Sequence, residues 1–145
     1  MKRVLFLCSG NYYRSRFAEI YFNWLAQERG LAWRAESRGL ALDARNAGPI
    51  SRYTLSSLAV RGISCDAYLR APLPVTAADF AAAQRIIAVK EAEHRSIVEG
   101  RFAAWCDVVE YWRIHDVDCA TPDEALPLLE RAVSDLLERL SAIAA

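Results

Sequence analysis

The sequence predicts an α/β fold: a parallel sheet with helices packed on both of its faces. Three observations lead there. Short apolar runs have the length and continuity of strands buried on both faces, segments of helical periodicity lie between them, and the connections are short.

Lys2 to Leu7 is the first such run and reads as a strand. Met1-Lys2-Arg3 ahead of it resembles the start of a secretory leader, but Ser9-Gly10-Asn11 ends the apolar stretch too early for one. From Arg14 to Arg29, apolar residues at Phe17, Ile20, Tyr21, Trp24 and Leu25 have helical spacing, and Gly30 is a C-terminal stop. Ala32 to Ser37 is predicted as a second strand, and Arg38 to Pro49, rich in Gly, Asn and Asp, as a loop. Ser51 to Arg61 is expected as a helix ending at Gly62, and Ala77 to Ala83 as a helical turn. A strand over Arg85 to Val89 follows, then a helix over Glu91 to Val98 closed by Gly100. Cys106 to Trp112 is predicted as the last strand. The C-terminal helix has Leu128, Leu129, Ala132, Val133, Leu136, Leu137 and Leu140 on one face. Its start has two solutions: a capping box at Thr121-Pro122-Asp123-Glu124 with Pro127 kinking the second turn, or a later start near Leu126.

The 145 residues are read as one domain, 1–145, large enough to bury a core without disulfides or metal. With 54% apolar and 25% charged residues the chain is a folded type. A formal net charge of zero gives no broad electrostatic grip on nucleic acid or anionic membrane. No segment approaches the roughly 20 apolar residues of a membrane helix, so a cytoplasmic protein, monomeric or weakly dimeric, is expected. Cys8, Cys65, Cys106 and Cys119 are too dispersed for a zinc cluster and are expected as thiols.

In a parallel sheet the loops after the strands share one rim, where ligands bind. Cys8 follows the first strand directly and Asp116 follows the last by a few residues, so both arrive there. Between Cys8 and Arg14 stand Ser9, Gly10, Asn11, Tyr12 and Tyr13, and Ser15 follows the arginine. A loop between strand and helix can curl its N–H groups into an anion nest at the helix N-terminus. Gly10 and Asn11 are the residue types that tolerate the left-handed backbone of such a curl. Arg14 brings a planar fork for two phosphoryl oxygens. In that field Cys8 is expected as a thiolate, with the Ser15 hydroxyl donating to it and its sulfur aimed at phosphorus. Asp116 is the candidate acid for the leaving oxygen and then the base for the hydrolytic water, with Asp118 as fallback. No metal or other cofactor is called for, because Arg14 and the loop amides neutralise the phosphoryl oxygens. A cysteine and an arginine at this spacing also occur by chance; the glycine, the asparagine, the serine and the strand–loop–helix setting distinguish this case. His94 and His115 lie in charged or loop stretches and are expected at the surface. The four tryptophans are expected in the core or in a pocket wall.

Val4-Leu5-Phe6-Leu7-Cys8-Ser9-Gly10-Asn11 with Arg14-Ser15 and Ala18-Glu19 resembles the opening signature of the low-molecular-weight protein tyrosine phosphatases. The likeness continues through Glu36-Ser37-Arg38-Gly39, Gly62-Ile63, Ile86 to Val89, and Trp112 with Asp116. The resemblance implies a four-stranded sheet of flavodoxin-like order. It also implies Cys8 as nucleophile, Arg14 as phosphate clamp, Ser15 as thiolate stabiliser, Asn11 as loop organiser and Asp116 as general acid. Ser9, Gly10, Asn11, Tyr12 and Tyr13 would form the substrate-binding loop for a phosphorylated protein or small phosphate ester. The chain departs from the family pattern in four places. Tyr13 replaces a second cysteine, and Arg16 replaces a proline as a second positive charge at the loop's edge. Val117 replaces the proline after the acid, without the usual aromatic wall beyond it. Arg61 replaces the histidine before Gly62-Ile63, which normally supports the loop asparagine.

Phosphotyrosine proteins and small aryl phosphates are therefore the expected substrates, with phosphoarginine an alternative. Two other functions use the same scaffold: a thiol-dependent arsenate reductase, which needs a cysteine cassette that Cys65, Cys106 and Cys119 do not form, and a phosphate-binding module without turnover.

Overall fold

Val4, Phe6 and Cys8 alternate with Leu5 and Leu7 along the first strand, and both sets are buried. A strand apolar on both faces needs a layer on each side, and the computed structural model, which describes residues 1–144, has that arrangement. In chain order the elements are β1 (Lys2–Cys8), α1 (Arg14–Glu28), β2 (Trp33–Gly39), α2 (Arg52–Val60), α3 (Ala77–Ala82), β3 (Arg85–Ala88), α4 (Glu91–Arg101), β4 (Val109–Tyr111) and α5 (Pro122–Ala144), with 3₁₀ turns at Asp66–Tyr68 and Ala103–Trp105.

The sheet is four-stranded and parallel in the order β2-β1-β3-β4, the flavodoxin-like order. One core holds Val4, Phe6, Ile87 and Val89 against Phe17, Ile20 and Phe22 of α1, Leu58 of α2, and Leu129, Val133 and Leu137 of α5. The other holds Leu5, Leu7, Ile86 and Ala88 against Phe80 of α3 and Val98 of α4. Helix α1 is enclosed so fully that every residue from Arg14 to Asn23 is buried. Asn23 ties it to edge strand β2, with Nδ2 donating to the Ala35 carbonyl (3.1 Å) and Oδ1 accepting from the Ala35 N–H (2.7 Å). Among the described residues no helix is long and apolar enough to cross a membrane.

Several sequence expectations shift. β2 runs two residues further than predicted, to Gly39, which brings Ser37 and Gly39 beneath the loop after β1. β4 is only Val109–Tyr111. Cys106 to Val108 form a turn with Val108 exposed, because β3, the strand's only neighbour, offers pairing over just three residues. Helix α4 passes through Gly100 and ends at Arg101, since packing of Val98 and Phe102 holds the last turn together. Helix α5 takes the earlier of its two starts. The Thr121 N–H and hydroxyl both donate to Glu124 (3.1 and 2.9 Å), and Pro127 is carried inside the helix. Gly30 and Gly62 follow their helices with positive φ, as C-terminal stops require.

Gly39 is where the sheet and the loop after β1 approach most tightly. A Cβ there would stand 2.7 Å from the Ser9 carbonyl oxygen and 2.5 Å from Leu42 Cδ2. Gly39→Ala is therefore expected to destabilise the fold by about 1–3 kcal/mol, the usual range for overpacking. Chemical denaturation of both proteins measures it, and equal midpoints would contradict this packing.

Candidate active site

β1 and β3 are neighbours whose outgoing connections run to opposite faces of the sheet, to α1 and to α4. The crevice beyond their C-terminal ends is the topological switch point. Cys8 ends β1 there. The chain after β4 continues to hydrogen-bond along residues 88–90, through Trp112 N to Ala88 O (2.9 Å) and Ile114 N to Val89 O (2.8 Å), which delivers Asp116 to the same rim. Cys8, Arg14 and Asp116 line one cleft of about 330 Å³ together with Ser9, Gly10, Tyr12, Tyr13 and Tyr53.

The loop from Ser9 to Tyr13 is gripped by its carbonyls. Those of Cys8 and Ser9 accept from the N–H groups of Leu40 and Ala41, that of Tyr12 from Ser51 N–H, and that of Tyr13 from the Thr54 hydroxyl, at 2.8–2.9 Å. Among the described residues, no protein acceptor takes an N–H from residues 9–13. A loop held by the carbonyls at its two ends has amides to offer an anion. Asn11 makes the reversal, with φ of +50°, whereas Gly10 does not adopt positive φ. The absent Cβ of Gly10 instead admits Asn46, whose Nδ2 would lie 3.1 Å from it.

Asn11 is fully buried and uses its whole amide. Nδ2 donates to Ser15 Oγ (3.0 Å) and Ser37 Oγ (2.9 Å), while Oδ1 accepts from Arg70 Nη1 and from the Leu73 N–H (both 3.0 Å). The support expected of residue 61 is thus supplied by Arg70. Arg61 turns away to pair with Glu130 and lies over the Phe17 ring. Nor is Arg16 at the loop's edge. It is wholly buried behind the loop, donating to the carbonyls of Tyr68 and Arg70 with its Nε 3.3 Å from Glu19. Glu19 in turn accepts from the Ser37 hydroxyl (2.7 Å), closing a polar network beneath the loop.

In front of the network, Cys8 Sγ and Ser15 Oγ are 2.9 Å apart. Arg14 is 1% exposed. Its Nη1 donates to the Ile114 carbonyl (2.9 Å) and its Nη2 to Glu93 Oε2 (2.7 Å), with Asp116 Oδ2 at 3.5 Å, while Nε has no protein partner. Burial alone would lower the pKa of this guanidinium, but Cys8, Glu93 and Asp116 around it carry it above its usual value. Tyr12 donates to the Ala47 carbonyl, and Tyr13 packs edge-on to Tyr53 at 6.3 Å. Burial, and then the nearby Asp116, push the Tyr13 phenol up to about 12. It therefore stays protonated, with no protein partner for its hydroxyl.

His94 is not at the surface: it is completely buried, because α4 begins directly at the rim and turns Glu93 and His94 into the crevice. Glu93, Arg70 and Tyr53 were likewise not singled out in the sequence. The one available signal was position, since Glu93 and His94 follow a predicted buried strand as closely as the Cys8 loop follows the first.

A cysteine, an arginine and a carboxylate thus converge at the switch point of a parallel sheet of flavodoxin-like order. The family described as low molecular weight phosphotyrosine protein phosphatase matches residues 3–142, and the chain belongs to that family of phosphatases. No curated protein sequence matches the chain significantly. Among solved structures, the low molecular weight protein tyrosine phosphatase SP-PTP from Streptococcus pyogenes is similar at 26% identity and a TM-score of 0.82, over 97% of this chain and 93% of that one. YfkJ from Bacillus subtilis is similar at 23% identity and a TM-score of 0.87, over 100% and 98%. The YwlE arginine phosphatase from Geobacillus stearothermophilus is similar at 20% identity and a TM-score of 0.78, over 98% and 94%.

The hydrogen bond from His94, with Ser9 and Arg14 adding to it against the opposing effect of burial, holds the Glu93 carboxyl well below its usual value of 4.5. A depressed carboxylate pKa contributes stability that is present above about pH 4.5 and fades as the pH falls below it. The stability difference between the wild type and Glu93→Gln is accordingly expected to be largest near neutrality and to shrink below that pH. Denaturant midpoints across the acid range measure this, and a difference independent of pH would contradict it. Removing the organiser's amide in Asn11→Ala leaves Ser15, Arg70 and the Leu73 N–H without their partner. It is expected to cost about 1–3 kcal/mol, readable as a lowered melting temperature.

Proposed function

We propose that the chain hydrolyses phosphate monoesters through a phosphocysteine on Cys8, with aryl phosphates and phosphotyrosine as its substrate class. The observation that carries this is the convergence in one cleft of Cys8, 2.9 Å from Ser15 Oγ, with the buried Arg14 and with Asp116 3.5 Å from Arg14.

The Cys8 thiolate attacks phosphorus, an S–P bond forms and the bridging P–O bond breaks, while Asp116 gives its proton to the leaving oxygen. Arg14 and the unpartnered amides of residues 9–13 bind the phosphoryl oxygens. Ser15 donates to the sulfur, which favours the thiolate both before attack and as it leaves. Asp116 then takes a proton from a water that attacks the phosphocysteine, releasing phosphate and restoring the thiolate. The chemistry needs Cys8 reduced, and all four cysteines are free, which suits a reducing compartment such as the cytoplasm.

Tyr12, Tyr13 and Tyr53 line the cleft and supply the aromatic surface that no residue after Asp116 provides. The cleft carboxylates are already engaged, Asp43 by Arg45 and Asp116 by Arg14. A guanidinium leaving group therefore has little charge to select it, and an aromatic ring is the better fit.

Turnover of an aryl phosphate is expected to vanish in Cys8→Ser and to fall about 10²–10⁴-fold in Asp116→Asn, where phosphocysteine accumulates. Phosphotyrosine peptides should be cleaved faster than phosphoserine or phosphoarginine peptides in a parallel screen. Undiminished hydrolysis by Cys8→Ser would refute the mechanism, and preferential release from phosphoarginine would refute the substrate class.

A further inference from the structure

One oxygen joins the two sides of the phosphate loop. Glu93 Oε2 accepts from the Ser9 hydroxyl at 2.5 Å, from Arg14 Nη2 at 2.7 Å and from His94 Nε2 at 2.7 Å. The three donors come from three elements: the residue beside Cys8, the first residue of α1, and the first turn of α4. His94 is fixed from behind. Its Nδ1 accepts the Lys90 N–H at 3.1 Å, which places the proton of a neutral imidazole on Nε2, facing Glu93. The imidazole also approaches Ser9 Oγ at 3.1 Å, so serine, histidine and glutamate form a closed triangle against the loop.

We propose that Glu93, backed by His94, is a positioning residue that holds the Arg14 guanidinium and the Ser9 turn in register for the phosphoryl group. This rests on the phosphatase reading above. Glu93 and the Ile114 carbonyl between them take up Nη2 and Nη1, which fixes the plane of the guanidinium. Among the described residues, Nε is the one guanidinium nitrogen without a protein partner. An arginine side chain otherwise free to rotate would lose rotamer entropy on clamping phosphate, and here that ordering precedes substrate. The Ser9 hydroxyl is committed to Glu93, so Ser9 acts through its backbone and its tether, not through side-chain contact with the leaving group.

The arrangement has an opposing electrostatic consequence. A carboxylate sharing the clamp's Nη2 competes with phosphate for the same cation, so it weakens ground-state binding of the anion while improving its alignment. Glu93→Gln, which keeps the shape and removes the charge, is thus expected to lower kcat on an aryl phosphate about tenfold or more. Inhibition by inorganic phosphate should meanwhile be unchanged or tighter. Ser9→Ala, a milder change, should slow turnover in the wild-type background and add nothing in the Glu93→Gln background, because both act through one contact.

The experiment measures kcat, KM and the phosphate inhibition constant for the wild type, the two single variants, the double variant and Cys8→Ser, with active sites counted by stoichiometric alkylation. Opposite movement of kcat and phosphate affinity, with non-additive Ser9→Ala, supports the positioning role. A Glu93→Gln enzyme within twofold of wild type would overturn it. So would phosphate affinity lost in step with kcat, or additive effects of the two substitutions. Cys8→Ser as active as wild type would instead sink the phosphatase reading, and with it this inference. Cys8-dependent turnover indifferent to Glu93 would sink the inference alone.

Discussion

A guanidinium that is 1% exposed must be surrounded by acceptors, and this requirement organises the rim of the sheet. Arg14 receives the Ile114 carbonyl from the segment after β4, the Glu93 carboxylate from the start of α4, and Asp116 from the loop beyond. Ile114 and Asp116 belong to the segment between β4 and α5, and Glu93 to the helix that follows β3. Bringing them within hydrogen-bond reach of one cation is what makes a cleft out of loops that are far apart in the chain. The cation in return helps to hold the Glu93 carboxyl below its usual value and keeps the crevice compact.

The loop itself is held from behind by a second buried polar layer. Asn11, Ser37, Glu19, Arg16 and Arg70 are joined by hydrogen bonds and ion pairs in a layer that is buried apart from the partly exposed Arg70, where an unpartnered group is costly. Two arginines occupy this layer, one wholly buried, and the Asn11 turn at positive φ persists because four partners define its side chain. The front of the loop faces the cleft with Cys8 and Arg14, and the rear carries the order. The same separation explains why Tyr13 packs against Tyr53 at the cleft wall while its main chain stays anchored through Thr54.

Strand and helix identities were legible because their signals are local. A continuous apolar run at Val4 to Leu7, helical spacing from Phe17 to Leu25 and the turn at Thr121, one of the two starts open for α5, act over a few residues, and each appears in the structure. The ends were less legible where a neighbour sets them. β2 reaches Gly39 because β1 is there to pair with, and β4 stops at three residues because β3 offers no more. Cys8, Arg14, Ser15 and Asn11 were readable as a constellation because the strand–loop–helix unit that assembles them is continuous in sequence.

By itself, then, the sequence determined the class of fold, the loop with its cysteine and arginine, and Asp116 as a residue delivered to the same rim. All of these follow from residue types at short spacing or from strands pointing the same way. Only the tertiary structure decided which charges meet. It brought Glu93 and His94 out of an apparently solvated helical stretch and into the crevice, assigned the support of Asn11 to Arg70 instead of residue 61, and buried Arg16. The physical reason is that a buried charge selects its partners by distance after the sheet has assembled. Distance across the strand order β2-β1-β3-β4 is not encoded in any local run of residues.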